Sequence, residues 1–179
     1  PEPLKEMQRN WIGRSVGAIV RFQVSNHDTE IEVFTTRPDT LFGVTFMTLA
    51  PEHALVDMIT TDKQREMVNH YIEQSAKRSE RDRMSDVKNI TGVFTGAYAI
   101  HPLNGDKVPI WIGDYVLAGY GTGAVMAVPC GDQRDFELAK NFDIPITNIF
   151  VDADIADSAH VEKGETRIAN SDFLNGLTV

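Results

Sequence analysis

The chain has one cysteine, Cys130, in 179 residues. That excludes an internal disulfide and fits a reducing compartment, so a cytoplasmic location is expected. Positive charge is also scarce: 17 Lys and Arg stand against 26 Asp and Glu, a formal net charge of −9. Such a chain is not expected to coat long stretches of nucleic acid by neutralising phosphates. Gripping one single-stranded end in a pocket stays open, because shape and hydrogen bonds matter more there. No apolar run approaches the roughly 20 residues of a membrane span, and no secretory signal stands out. No membrane partner is expected. The chain starts Pro1-Glu2-Pro3 without a Met, the opening expected of a piece of something longer. It has no internal repeat and no low-complexity tract.

Metal-ligand spacing is missing too. His27, His53, His70, His101 and His160 are scattered. Asp152, Asp154 and Asp157 resemble the start of a calcium loop, but Asp157 stands where glycine is needed and Lys163 where the bidentate Glu is needed. Neither a metal nor a cofactor is expected. Gly13-Arg14-Ser15-Val16-Gly17 matches a nucleophile elbow by letter only, since an alternating strand follows where a helix is required. Gly119-Tyr120-Gly121-Thr122-Gly123-Ala124 matches a dinucleotide fingerprint, yet the next residues read as a strand stopped by Pro129. Backbone lying close to a ligand, or a tight bend of a barrel strand, suits those glycines better. The sequon Asn89-Ile90-Thr91 is read as chance.

What is present is mostly β pattern. Residues 1–15 read as an irregular, polar entry ribbon. Ala18–Val24 and Glu30–Thr36 alternate and form an expected hairpin across Ser25-Asn26-His27-Asp28. Val44–Ala50 is a third expected strand. Pro51 opens an expected helix with Ala54, Leu55, Met58 and Ile59 on its buried side. Thr61 and Gln64 fit a capping box for a second helix with the stripe Met67, Val68, Tyr71, Ile72. Residues 77–88 are expected to be charged and exposed. Val93–Ile100, Val108–Gly113 and Ala124–Val128 are strand-like, with Asn104-Gly105 as a hairpin turn. A short helix is expected over Asp132–Phe142 and a strand over Ile144–Val151. The sum is α+β, mostly β: a barrel or closed sheet with peripheral helices. The expected division is an entry ribbon over 1–16, one domain over 17–165 and an exit ribbon over 166–179.

Two stretches concentrate polar chemistry. Thr35-Thr36-Arg37-Pro38-Asp39-Thr40-Leu41-Phe42-Gly43 sets three hydroxyls, a guanidinium and a carboxylate in a loop stiffened by Pro38. By themselves these residues fit a tight turn better than a site. Pro129-Cys130-Gly131-Asp132-Gln133-Arg134-Asp135-Phe136 is the second. Asp132 suits an N-cap. Asp135 fits the positive end of the helix or a cationic ligand group equally well. Cys130 reads as a small core or loop residue, because no histidine lies near it in sequence.

Together, Thr35–Gly43 and Tyr120-Gly121-Thr122-Gly123-Ala124-Val125-Met126-Ala127-Val128-Pro129, followed by Asp132-Gln133-Arg134-Asp135, resemble the editing domain of leucyl-tRNA synthetase, the connective polypeptide 1 insertion. Met7–Ser15 resembles its entry and Phe173–Leu177 its exit. The resemblance implies an editing-domain β-barrel. It implies hydrolysis of mischarged tRNA(Leu), with isoleucyl, methionyl and norvalyl esters as targets and leucyl-tRNA(Leu) excluded. The implied partners are the aminoacylated 3′ end of tRNA(Leu) and, in the parent protein, the synthetase catalytic core; a monomer is expected. By resemblance, Asp135 holds the substrate α-ammonium, Thr35 and Thr36 bond substrate and water, and Thr40 blocks leucine. Tyr120, Met126 and Val128 line the pocket, Asp132 binds with them, and Arg37 meets either the tRNA end or a loop carboxylate. Many relatives carry a histidine just before Asp-Gln-Arg-Asp; Cys130-Gly131 stands there here. The ATP-binding signatures of a synthetase are absent, so no aminoacylation is expected. Two alternatives remain: a non-catalytic module gripping a tRNA 3′ end, and an editing domain of the valyl or isoleucyl type.

Overall fold

Alternating apolar residues build the first hairpin as its sequence dictates. The computed structural model describes residues 2–12, 15–85, 90–161 and 165–179. In it, β1 (Ala18–Val24) and β2 (Glu30–Thr35) pair antiparallel from Ala18↔Thr35 to Gln23↔Glu30. Phe22, Val24, Ile31 and Val33 are buried, while Arg21 lies across the solvent face and bonds Glu32 at 2.7 Å. Opposite charges facing one another across a ladder favour this register.

The other strands are β3 (Phe46–Leu49), β4 (Gly92–Ile100), β5 (Lys107–Gly113) and β6 (Ala124–Ala127). The sheet order is β2-β1-β4-β5-β3-β6. It is mixed: β3 runs parallel to β5 and antiparallel to β6. All four β3 residues are buried, as a central strand covered on both faces requires. The turn at Asn104-Gly105 joins β4 to β5 as expected, with Gly105 at φ 77°. A register shift interrupts that pair between Phe94 and Tyr98. Gly96 sits in it at φ 83°, with the Thr61 side chain occupying the space a Cβ would need.

The closed barrel is a correction. The sheet is open, with β2 and β6 as its two edges. These edges draw together without pairing, and a cavity described below lies between them. α+β content, mostly strand, stands.

Several local expectations are corrected as well. Residues 2–12 form a helix, α1 (Glu2–Ile12), not an irregular ribbon. Its start places Pro3 near the N-terminus, and Leu, Lys, Glu, Met and Gln follow, all strong helix formers. The helix after Pro51 shrinks to α2 (Leu55–Ile59), with Val56 and Ile59 buried and Met58 60% exposed. The second helix, α3 (Arg65–Ser75), starts without a side-chain cap. Thr61 turns away from the helix and bonds Thr95 O through its backbone N–H, so no capping box forms. Val68 is buried but Met67 is exposed. In α4 (Glu80–Ser85), Arg83 is buried rather than exposed. Its guanidinium donates to Glu52 Oε1 at 2.7 Å, Asp114 O at 2.6 Å and Val116 O at 3.0 Å. Residues 86–89, with Asn89 of the sequon, lie outside the described residues, as do Gly13, Arg14 and Lys163. Residues 144–151 form no strand; Phe150 makes a single bridge to Ile168. The expected helix after Pro129 is α5 (Gln133–Asn141).

Candidate functional site

The topology joins the two polar stretches. The loop after β2 becomes a 3-10 helix (Pro38–Gly43) and then enters β3. β3 pairs with β6 from Phe46↔Ala127 to Leu49↔Ala124, so the first stretch leads directly alongside the second. Gly43 seals the junction: a Cβ there would meet Val128 Cγ1 at 3.0 Å and Cys130 Sγ at 3.3 Å. A side chain at 43 would make these neighbouring side chains give by a few tenths of an ångström.

Between these stretches lies a cavity of about 560 Å³, within the usual range for a small-ligand site. Thr35, Arg37 and Thr40 line one side, and Val125, Met126, Val128, Asp132, Arg134 and Asp135 the other. Tyr120, 84% exposed, stands at the mouth. Of the sequence-derived site residues, Thr36 alone is absent from the lining; its residue is exposed.

Local hydrogen bonds explain the loop's shape. Thr35 Oγ1 accepts Arg37 N–H at 3.0 Å, and Thr40 Oγ1 donates to Arg37 O at 2.9 Å. Arg37 is answered by a loop carboxylate: its Nε and Nη2 donate to Asp39 at 3.0 and 2.8 Å. This forked pair fixes the guanidinium. Thr40 is buried, at 6% exposure, so its methyl and hydroxyl form a rigid part of the wall.

In the second wall, Asp135 is not the helix cap. Asp132 alone caps α5, its Oδ1 accepting Arg134 N–H at 2.9 Å and Asp135 N–H at 3.2 Å. The Asp135 carboxylate faces away from that cap. Its Oδ2 accepts Val128 N–H at 2.9 Å, and its Oδ1 lies 3.3 Å from Tyr115 Oη. Burial, and next the neighbouring Asp132 charge, push its pKa up to about 8. The Val128 N–H and the Tyr115 hydroxyl act in the opposite direction. The Arg134 charge lowers it as well, but burial prevails, so the carboxyl holds its proton near neutrality.

Tyr115 and Thr48 were not legible as site residues. Tyr115 Oη is 3.0 Å from Thr48 Oγ1, and Thr48 is fully buried on β3. The phenol donates to Thr48 Oγ1 and stands within reach of Asp135 Oδ1, so its single proton can serve either acceptor. Burial and the Asp135 charge hold the Tyr115 pKa well above its usual value, so it remains a donor. No spacing rule links residues 48, 115 and 135. Phe150, His160, Val161 and Val179 also reach the cavity from the C-terminal segment, and nothing local in the sequence marks them. Cys130 is fully buried in the core, and burial raises its thiol pKa. It does not line the cavity.

Residues 9–179 match the family model for the leucyl-tRNA synthetase editing domain. The chain belongs to that family. It is 65% identical over 181 residues to a leucine–tRNA ligase of Flavobacterium johnsoniae, covering 98% of this chain and 19% of the relative. A leucine–tRNA ligase of Christiangramia forsetii is 66% identical over 176 residues, covering 98% of this chain and 18% of that one. The chain therefore spans about a fifth of the length of these relatives. A crystallised LeuRS of Agrobacterium radiobacter, in a ternary complex with tRNA and LeuAMS, superposes with a TM-score of 0.70 at 39% identity. It covers 90% of this chain and 19% of that one. The editing-domain family gives the cavity its context: the motifs that meet at Gly43 are those that carried the resemblance.

Proposed function

We propose that this editing domain hydrolyses the ester of mischarged tRNA(Leu), removing isoleucine, methionine or norvaline and sparing leucine. The observation that carries the reading is Asp135: a buried carboxylate on the wall of a mostly apolar cavity, with Thr35 and Thr40 on the facing wall. In this reading Asp135 ionises as it receives the α-ammonium, forming a charge-assisted bond shielded from water. Met126 and Val128 contact the amino acid. Tyr120 at the mouth meets the terminal adenosine, as aromatic side chains meet unstacked bases. Asp132 caps α5 and presents its carboxylate edge beside Asp135. Arg37, braced by Asp39, borders the entry.

An aminoacyl ester is already activated, so holding ester and water together supplies much of the rate. Thr35 keeps its hydroxyl proton for substrate or water, because its oxygen already accepts from Arg37 N–H. Thr36 is exposed and outside the cavity lining, so this reading gives it no direct part in the chemistry. Selectivity comes from Thr40. Apolar side chains that differ by one methylene separate by only ~1–3 kcal/mol in a pocket, so discrimination against leucine needs a rigid clash. The Thr40–Arg37 hydrogen bond supplies that rigidity.

The experiment offers isoleucyl- and leucyl-tRNA(Leu) to the wild-type chain and to Thr40→Ala and Asp135→Ala. Wild type is expected to deacylate the isoleucyl ester only. Thr40→Ala should also cleave the leucyl ester, and Asp135→Ala neither. Binding of the tRNA end without cleavage by wild type would instead make the domain a non-catalytic grip. A retained rate in Asp135→Ala would remove the ammonium anchor.

A further inference from the structure

His101 does not line the cavity; it is buried just beyond the end of β4, at 2% exposure. Phe22 meets its ring edge-on and Phe42 tilts against it, each with ring centroids 6.1 Å apart. A polar ring among apolar ones needs partners for both nitrogens. Nδ1 accepts the backbone N–H of Leu103 at 3.2 Å and of Asn104 at 3.4 Å, in the turn that joins β4 to β5. An accepting Nδ1 places the ring proton on Nε2. Nε2–H therefore donates to Leu41 O, 2.9 Å away.

That bond reaches into the loop that carries Thr40. Leu41 follows Thr40 in the 3-10 helix, and its carbonyl also takes the Val44 N–H at 3.1 Å. Among the described residues, every other hydrogen bond of residues 36–44 stays between residues 35 and 44. Thr35 bonds Arg37, Arg37 bonds Asp39, Thr40 bonds Arg37, and Leu41 bonds Val44. These bonds fix the loop's shape. Its distance from the Asp135 wall is left to the flanking strands, to apolar contact and to His101. A wall that rejects a side chain by contact must hold its place to about 0.5 Å. Apolar contact has no direction. A short hydrogen bond from a buried ring at the end of a strand does.

We propose that His101 is a positioning residue for substrate selectivity: through the Leu41 carbonyl it holds Thr40 where leucine is turned away. This rests on the hydrolytic reading above. His101 touches neither the ester nor the attacking water. Without the Nε2 donor, the Leu41 carbonyl keeps only the Val44 bond. The loop can then retreat from the Asp135 wall, and the space that Thr40 denies to leucine opens.

The test compares single-turnover deacylation of leucyl- and isoleucyl-tRNA(Leu) by wild type, His101→Asn and His101→Gln, with thermal unfolding of each. Asparagine sets an oxygen where Nδ1 stands and keeps the acceptor for the turn, but no atom of it reaches Leu41. Glutamine sets an N–H donor where Nε2 stands and keeps the bond to Leu41, while the turn loses its acceptor. In His101→Asn the leucyl rate is expected to rise ~10-fold relative to the isoleucyl rate, the scale of one buried hydrogen bond. His101→Gln should keep the wild-type preference, although both variants unfold at a lower temperature than wild type. Leucine exclusion retained by a folded His101→Asn overturns the proposal and leaves His101 as a tie within the core. Leucine cleavage by both variants alike also overturns it, since the turn would then govern the wall. If His101→Asn does not fold, His101→Gln decides: retained exclusion supports the proposal and leucine cleavage overturns it. If wild type leaves the isoleucyl ester intact, the hydrolytic reading fails first. If wild type cleaves it but Thr40→Ala still spares leucine, hydrolysis stands and the gate falls, with His101 as its support.

Discussion

Asp135 is the residue whose physics is most exposed to measurement. Its carboxyl moves from 3.8, the ordinary value, to about 8 in the folded protein. The folded chain therefore binds a proton that the unfolded chain has released between those pH values. Stability from this group is fully present below pH 4 and is lost as pH rises through 8. We expect the unfolding temperature of Asp135→Asn to lack that decline, so that the variant gains on wild type from pH 5 to pH 9 in calorimetry. An unchanged slope would mean that the carboxylate is solvated. Tyr115 gives a second prediction at this scale. Its hydroxyl lowers the Asp135 pKa, so Tyr115→Phe should move the acidic limb of the deacylation pH–rate profile to higher pH. A limb that stays in place would detach Tyr115 from the anchor.

At the scale of elements, α5 and the loop after β2 do different work. α5 starts where Asp132 accepts two backbone N–H groups, which sets the angle at which Asp135 enters the cavity. Asp132→Ala should cost about 1 kcal/mol of stability, typical of a lost N-cap, read from denaturant midpoints with an unchanged m-value. Deacylation should fall along with it, because the first turn of α5 carries the anchor. The Asp132 cap was legible from its place before the helix. The Asp135 side-chain direction was not, because the same three-residue spacing serves a cap or a ligand. Sequence also missed α1, where helix-forming residues without a long apolar stripe read as a ribbon. It missed Arg83 because a charge run normally stays in solvent; here Glu52 and two backbone carbonyls satisfy the buried guanidinium.

At the scale of the molecule, the proposed function asks an acidic chain to receive a polyanion at one mouth. The net charge is −9, and of the arginines on the cavity wall, Arg37 is already paired with Asp39. Affinity for uncharged tRNA should therefore be weak. Its dependence on salt should be shallow, with a log–log slope smaller in magnitude than about 2, since few phosphates are neutralised. Fluorescence anisotropy across salt concentrations measures this, and a steep slope would require a basic surface that the composition does not supply. The open sheet belongs to the same scale. Strand patterns predicted the number and order of most strands along the chain. They did not predict that β2 and β6 would remain unpaired edges, because closure depends on what lies between them.

The sequence by itself determined the alternating hairpin, the N-cap of α5, the acidic surface and the two motifs that mark the editing-domain family. These follow from local periodicity, side-chain type and short spacing. The tertiary structure decided that Thr35 and Thr40 face Asp135 across a cavity, and that Thr48 and Tyr115 stand behind it. It also brought His160 in from the C-terminal segment. Those juxtapositions come from the β3–β6 pairing and the close approach at Gly43. They join residues far apart in the chain, and no local preference records such contacts.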